Sequence, residues 1–258
     1  MIRVVFNQKG GVGKSSITTN LAAIAAAQGK KTLVIDLDPQ CNTSQYILGS
    51  FFDREEHDTS ISKFFNDCLK FKIMDKDPAD YVYTTDYDNL YIIPASEELY
   101  ELQGKLEAKH KIYKLRDALN KLKGQFDEIY IDTPPAFNFF TLSALIGADS
   151  VLIPFDCDDF SRRALYNLIE NIEETQGDHN PGLRLEGIVV NQFMPQAKLP
   201  AQVVKELAEE GLPVFNSKIS SSVKMRESHS EGKPLIHMAA KHKLTQQFLD
   251  LYSELKAA

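Results

Sequence analysis

A chain of 258 residues can bury a sizeable core, and its length fits one large α/β domain spanning residues 1–258 better than two small ones. Charged residues make up 25% and hydrophobic residues 43%, and no repeat or low-complexity tract appears, which excludes a fibrous or disordered chain. A net charge of -7 excludes a surface that coats nucleic acid as a whole and leaves only a local basic patch for that purpose.

The N-terminal "MIRVVF" runs straight into a glycine-rich loop, leaving no room for a secretory signal. No apolar run approaches the roughly 18 residues of a membrane span, so no stable membrane insertion is expected. Cys41, Cys68 and Cys157 are widely spaced and form no C-x-x-C pair, which argues against a disulfide framework and a metal knuckle. A reducing cytoplasm is the expected location.

Apolar runs rich in β-branched residues alternate with helical spacing, the pattern of βαβ units around a mostly parallel, twisted sheet flanked by helices. Strands are predicted at Arg3–Phe6, Thr32–Ile35, Leu90–Pro94, Glu128–Ile131, Ser150–Pro154 and Glu186–Val190. Their near-continuous hydrophobicity suits burial on both faces. After the first strand and its glycine loop, Ile17, Leu21, Ile24 and Ala25 recur at helical spacing, and Gly29 ends that helix. Residues 50–80 interrupt the alternation with a mixed amphipathic and charged stretch, predicted to be a surface helix with loops and given no function. Further helices are predicted at Glu97–His110, Tyr113–Lys123, Ser161–Thr175, Ala201–Glu209 and Lys241–Lys256. In the last, Leu244, Phe248, Leu251, Tyr252 and Leu255 form one apolar stripe that suits docking on the sheet. A membrane-surface helix is the alternative, but its polar face carries Asp250 and Glu254 with few lysines.

The loop "NQKGGVGKSS" departs from the phosphate-loop pattern G-x-x-x-x-G-K-[ST] at its first position, where Gln8 stands in place of glycine beside an extra lysine, Lys9. Gly10, Gly11 and Gly13, with Val12 between them, let backbone N–H groups turn inward around phosphate oxygens at the positive end of the following helix. Lys14 adds a point charge near the β and γ phosphates, and the Ser15 hydroxyl is placed to ligate Mg²⁺. Two further hydrophobic strands end in acids, "LVIDLDPQ" with Asp36 and Asp38 and "EIYIDTPPA" with Asp132. In a parallel sheet all three project toward the glycine loop, because ligands bind outside the carboxyl ends of the strands.

"KGGVGKS", "DLDPQ" and "DTPP", in this order and at these separations, resemble the deviant Walker A, Walker A-prime and Walker B motifs of the ParA/MinD family of ATPases. Together with "EGKPL" at Glu231–Leu235, they are most similar to its ParA (Soj) branch. The resemblance spans Ile2 to about Ile236. It implies a P-loop NTPase fold of SIMIBI type, with ATP and Mg²⁺ as substrate and cofactor. It further implies that Lys9 reaches across an ATP-sandwiched homodimer to the partner's phosphates, a cation supplied in trans. By the same resemblance Lys14 serves the β and γ phosphates, Ser15 holds Mg²⁺ directly and Ser16 lies by the α-phosphate. Asp38 orients the attacking water, Asp132 holds Mg²⁺ through water, Asp36 has a supporting role, and Asn191 contacts adenine. Hydrolysis is expected to be slow until a partner stimulates it.

The function this implies is ATP-dependent binding of non-specific DNA to position or segregate DNA or protein cargo, with a ParB-like or adaptor protein as activator and association with the nucleoid. DNA binding needs cations facing the phosphate backbone. Relatives carry an "I-P-R-N-V-R" type segment before the G-K-P motif, whereas this chain has "KISSSVKMRESHSEGKP". Lys218, Lys224 and Arg226 keep charge there, while Ser220 and Ser221 replace the proline and first arginine. A second basic zone, Lys105–Gly124, holds seven Lys or Arg against two acids and reads either as a solvated helix face or as a DNA contact. Arg162 and Arg163 stand at a helix start, where cations do not serve helix stability, and read as a dimer-interface contact, a DNA contact or simply exposed charge. The alternative function is a membrane-cycling or protein-partner regulator like MinD, against which the weakly basic C-terminal helix argues. Bacterial tyrosine kinases share these motifs but end in a tyrosine cluster, where this tail has only Tyr252. Nitrogenase-reductase relatives need bridging cysteines in a context these cysteines lack. His237 and His242 lie five apart, off one helix face, and do not suit a metal site.

Overall fold

Seven strands form one sheet in the order β3-β4-β2-β5-β1-β6-β7. They are β1 Ile2–Val5, β2 Thr32–Asp36, β3 Tyr83–Thr84, β4 Leu90–Ile93, β5 Glu128–Asp132, β6 Ser150–Asp156 and β7 Arg184–Asn191. The structure is a computed structural model that describes residues 1–49, 52, 59–70, 76–157, 161–194, 196 and 198–257. Every neighbouring pair is parallel except β3 with β4. All six predicted strands are present. The additional strand, β3, is two exposed residues long, too short to leave a pattern in the sequence.

Side chains alternate between the two faces of each strand, and both faces are covered. On one face Val5, Val34, Tyr130 and Leu152 meet α1 (Lys14–Ala27) and α11 (Lys243–Ala257). On the other, Val4, Leu33, Ile129 and Val151 meet α4 (Leu99–Ala108), α5 (Lys114–Leu122), α6 (Phe139–Gly147) and α7 (Ser161–Asp178). Each fully buried aliphatic or aromatic side chain contributes about 1.5–3 kcal/mol, so this double cover is what sets the strand register. The apolar stripe of α11 is buried as expected for docking, with Phe248 and Leu251 at 0% exposure, which leaves no apolar face for a membrane surface. Among the described residues no helix is long and apolar enough to cross a membrane.

Four helices were not apparent from the sequence: α2 (Asn42–Leu48), α6, α9 (Val223–Ser230) and α10 (Leu235–Met238). Helix α6, "FFTLSALIG", is buried almost all round and therefore shows no amphipathic period. Its start is set by Asn138, whose side chain accepts from the N–H groups of Phe140 and Thr141 at 3.1 and 3.2 Å. The others are short. Between them lie α3 (Ile61–Leu69) and α8 (Lys198–Glu209). Helix α3 is the amphipathic helix expected within residues 50–80. Capped by Ser60, it buries Ile61, Phe64 and Phe65, with Phe65 edge-on to Phe139. Residues 50, 51, 53–58 and 71–75 of that stretch lie outside the described residues.

One polar network locks the end of the sheet opposite the loop. Arg3 on β1 is 5% exposed and pairs with Glu128 of β5 and Glu186 of β7, each at 3.0 Å. Tyr130 and Tyr252 donate to Glu128 at 2.7 and 2.8 Å, and Ser150 donates to Glu186 at 2.6 Å. Removing the guanidinium strands two buried carboxylates. Arg3→Met is therefore expected to lower unfolding free energy by about 3–5 kcal/mol in urea titration. A change under 1 kcal/mol would show that the network is not a structural lock.

Candidate functional site

The register of the sheet assembles the site. Asp36 at the end of β2 is paired with Asp132 at the end of β5, Asp132 lies beside Val5 of β1, and Asp156 of β6 is paired with Asn191 of β7. The glycine loop, residues 6–13, leaves β1 among these ends. Helix α1 begins at Gly13, which has φ 91° and no side chain to cap the helix, and the first turn carries no acid. Its first N–H groups are therefore offered to an anion, as helix termini offer them to phosphate.

The loop is held from several elements. Asn7 donates to Pro154 O at 2.7 Å and accepts from the Lys9 N–H at 2.9 Å. Asn191 donates to Val12 O at 2.8 Å, and Gln192 donates to Gly11 O at 2.6 Å. A Cβ on Gly13 would lie 2.1 Å from Asn191 Nδ2, so only glycine fits there. The expected adenine contact, Asn191, is thus buried against the loop backbone. Gly10 and Gly11 leave open space at their Cα atoms, Gly11 with φ 77°.

Lys14 is 7% exposed, and its ammonium donates to Lys9 O at 3.3 Å. Burial pulls its pKa down while the charges of Asp132 and Asp38 pull it back up. The Ser15 hydroxyl hydrogen-bonds Asp132, which also accepts from Thr43 Oγ1 at 2.7 Å. Burial raises Asp132 to about 6, assisted by Asp38 and opposed by Ser15, Thr43 and Lys14. Burial and then the neighbouring Asp132 push Asp36 well above the carboxylate range, despite two hydrogen bonds from Ser44. Asp36 accepts from Asp38 N at 3.0 Å and from Ser44 N and Oγ at 2.9 and 2.7 Å, so its carboxylate orders the loop after β2. Burial raises Asp38 as well, against the Gln40 N–H and the Lys14 charge.

Three buried acidic side chains thus face one buried ammonium. Among the described residues no group of three or more His, Cys, Asp or Glu is arranged to hold a metal ion. The site offers the hydroxyls of Ser15 and Thr43 next to the Asp132 carboxyl. That all-oxygen set fits magnesium when phosphate and water oxygens complete its coordination.

Lys9 differs from Lys14. Its ammonium lies 3.4 Å from Asp156, and the two side chains are 35% and 32% exposed. Ser16 Oγ lies 2.8 Å from His229 Nε2 on α9, and the His229 ring stacks on Tyr46 at 4.0 Å. Asn20 donates to Ser16 O at 2.8 Å and accepts from Leu235 N at 2.9 Å, joining α1 to the G-K-P segment.

A family profile described as an AAA domain matches residues 1–185. Chromosome partitioning protein ParA of Myxococcus xanthus (strain DK1622) is 34% identical, with 97% of this chain and 86% of that protein covered. The chain belongs to the ParA/MinD family of ATPases. Sporulation initiation inhibitor protein Soj of Bacillus subtilis (strain 168) is 30% identical over 99% of this chain and 98% of that protein. Cobyrinic acid a,c-diamide synthase of Mycobacterium smegmatis, solved with an ATP analogue and magnesium, superposes with a TM-score of 0.83 at 26% identity. It covers 98% of this chain and 92% of that one.

Outside the nucleotide loop the ParA/MinD pattern is realised unevenly. Arg226 on α9 is exposed, Lys224 is paired with Glu227, and Lys218 lies over the Phe193 ring at 5.0 Å. Arg162 is tied to Glu206 and Glu210 at the α7–α8 contact, while Arg163 is exposed. His237 stacks on Tyr87 at 4.3 Å, and His242 accepts from Leu244 N. Sequence reasoning missed Thr43, Tyr46, Asp156, Gln192 and His229. Thr43 and Tyr46 sit on an unpredicted short helix, and the strand ending "PFDC" carried the only hint of Asp156.

The raised Asp132 makes a prediction with a definite sign. Its folded-state pKa, about 6, lies above its ordinary 3.8, so its contribution to stability is present in acid and lost as pH rises through 6. Without nucleotide, Asp132→Asn should gain on the parent between pH 4 and 7 by on the order of 1–3 kcal/mol in urea unfolding. A parent that gains on the variant over that range contradicts the charge assignment.

Proposed function

We propose that this chain is a ParA-like ATPase that hydrolyses ATP to ADP and phosphate and uses the ATP-bound state to hold DNA. The observation that carries the reading is the pair of loop lysines. Lys14 is buried inside the loop, and Lys9 stands at its rim, partly exposed, on Asp156. A buried lysine serves the phosphates of its own chain. A rim lysine is available to the phosphates of a second copy, and Asp156 holds it near that position in the single chain.

In this reading the backbone N–H groups of Gly10–Ser16 and the start of α1 bind the phosphates. Magnesium, held by Ser15 and through water by Asp132, would neutralise charge on the β and γ phosphates. Asp38, buried next to Lys14, orients the attacking water. Water oxygen bonds to the γ-phosphorus as the bond to the bridging oxygen breaks, and the water protons pass to the phosphate product and bulk water. Lys14 and the second copy's Lys9 stabilise the charge spread over the transferred group. Asn191, which holds Val12, keeps the loop shaped for this, and in this reading it also contacts adenine.

The DNA-binding part rests on Arg226, Lys224 and Lys218, and on the tie between Ser16 and His229. A phosphate that engages the Ser16 hydroxyl competes with or reorients its contact with the helix bearing Lys224 and Arg226, so nucleotide occupancy would be felt there. The chromosome partitioning role in the name of the Myxococcus relative supports partition of DNA or protein cargo, and in this reading a ParB-like or adaptor partner stimulates the cycle in the cytoplasm or on the nucleoid. A protein-partner regulator that does not touch DNA remains the competing reading, because Ser220 and Ser221 stand where relatives carry proline and arginine.

A duplex-DNA shift assay with ATP against ADP over a salt series separates the two. The parent is expected to bind with ATP only, with affinity falling steeply as salt rises. Lys9→Ala should still bind ATP but remain monomeric on sizing chromatography and lose the shift. Absence of ATP-dependent, salt-sensitive binding favours the protein-partner reading, and an unchanged ATP-dependent dimer in Lys9→Ala removes the trans role of Lys9.

A further inference from the structure

Two stretches to which the sequence assigns no settled role, residues 50–80 and the basic zone Lys105–Gly124, meet in space. Helix α3, the turn Pro78–Tyr81 and helix α5 enclose a cavity of 210 Å³ that shares no residue with the nucleotide loop. Lys70, Lys76, Lys111, Lys114 and Lys121 line it. In a chain with 29 Lys and Arg against 36 Asp and Glu, five lysines around one small cavity is a local reversal of charge.

Among the described residues two carboxylates, Asp67 and Asp117, line the same cavity, and both already have partners. Asp67 accepts from the Tyr81 hydroxyl at 2.7 Å and lies 3.6 Å from Lys70. Asp117 is paired with Arg116 at 3.1 Å. Lys76 lies over the Tyr81 ring at 5.2 Å. Among the described residues Lys111, Lys114 and Lys121 take part in no ion pair. Their ammonium groups are therefore open to an anion from solvent.

The walls do not depend on those lysines. Phe64 meets Tyr81 edge-on at 5.7 Å, and Lys109 fixes the end of α3 by donating to Leu69 O at 3.1 Å. Burial of Phe64 and Tyr81 holds the floor, so the cavity is present before any ligand arrives.

We propose that this cavity is a second anion site, distinct from the nucleotide loop, that takes a compact oligophosphate group. Lysine ammonium groups are strongly hydrated point charges with several donors each, suited to a multiply charged phosphate rather than to one planar carboxylate. The size agrees. At 210 Å³ the cavity is smaller than the roughly 300–1,000 Å³ of sites for drug-sized ligands, and its concave shape does not match the convex backbone of a duplex. Occupancy would join α3, the turn and α5 through one set of charges.

The test uses the full chain in magnesium-free buffer, titrated with inorganic triphosphate and followed by backbone amide NMR, which resolves this site from the loop. Saturable shifts are expected at residues 63–69 and 111–121, separately from those at residues 10–16. The combined variant Lys111→Gln, Lys114→Gln and Lys121→Gln should weaken binding at the first set at least tenfold and leave the loop response unchanged. Lys114→Arg, which keeps the charge, should retain binding and so control for folding. Three results would overturn the proposal: no saturable shift at residues 111–121, equal binding by the triple variant, or shifts there with duplex DNA but not with triphosphate.

Discussion

Asp36 and Asp132 stand in register at the ends of adjacent strands, both fully buried, and the rest of the site answers the cost of keeping them there. A carboxylate taken from water is destabilising unless charge or hydrogen bonds compensate. Asp36 accepts backbone and hydroxyl donors from its own loop, yet burial and the neighbouring Asp132 still push it well above the carboxylate range. Asp132 is compensated only in part, by Ser15, Thr43 and Lys14, and keeps a raised pKa. In the proposed reading, a divalent cation and a phosphate chain would offset the burial of these acids.

The sheet can carry such a strained end because its opposite end is tightly tied. Arg3 joins β1, β5 and β7 through two buried carboxylates, with Tyr252 bringing in α11. Segments far apart in sequence are likewise tied to the loop: Asn191 and Gln192 hold its backbone, and His229 reaches Ser16. The loop is held by both β7 and α9. The basic helix near the G-K-P motif is thus connected to the nucleotide site by side chains rather than only by the chain.

Much of this was legible in the sequence, because the signals were local. The glycines, Lys14, Ser15 and the acids at strand ends announce themselves by spacing, and strands buried on both faces read as apolar runs. What was not legible has physical reasons. Helix α6 is buried on nearly every side and so lost its period. Which residues of helix α3 pack inward was not legible, because Phe65 meets Phe139 and Phe140, which lie far along the chain. His229 and Asp156 act through contacts across 213 and 147 residues, which no window of sequence contains. Arg162 seemed available for a partner until α8 brought Glu206 within 2.8 Å.

The most direct test of the buried-acid account is thermal unfolding of the parent chain with ATP alone, magnesium alone, and both together. The account predicts a cooperative effect, with the two together raising Tm by clearly more than the sum of their separate shifts. Additive shifts, or no shift with both present, would contradict the claim that buried carboxylates and phosphate share one cation at this site.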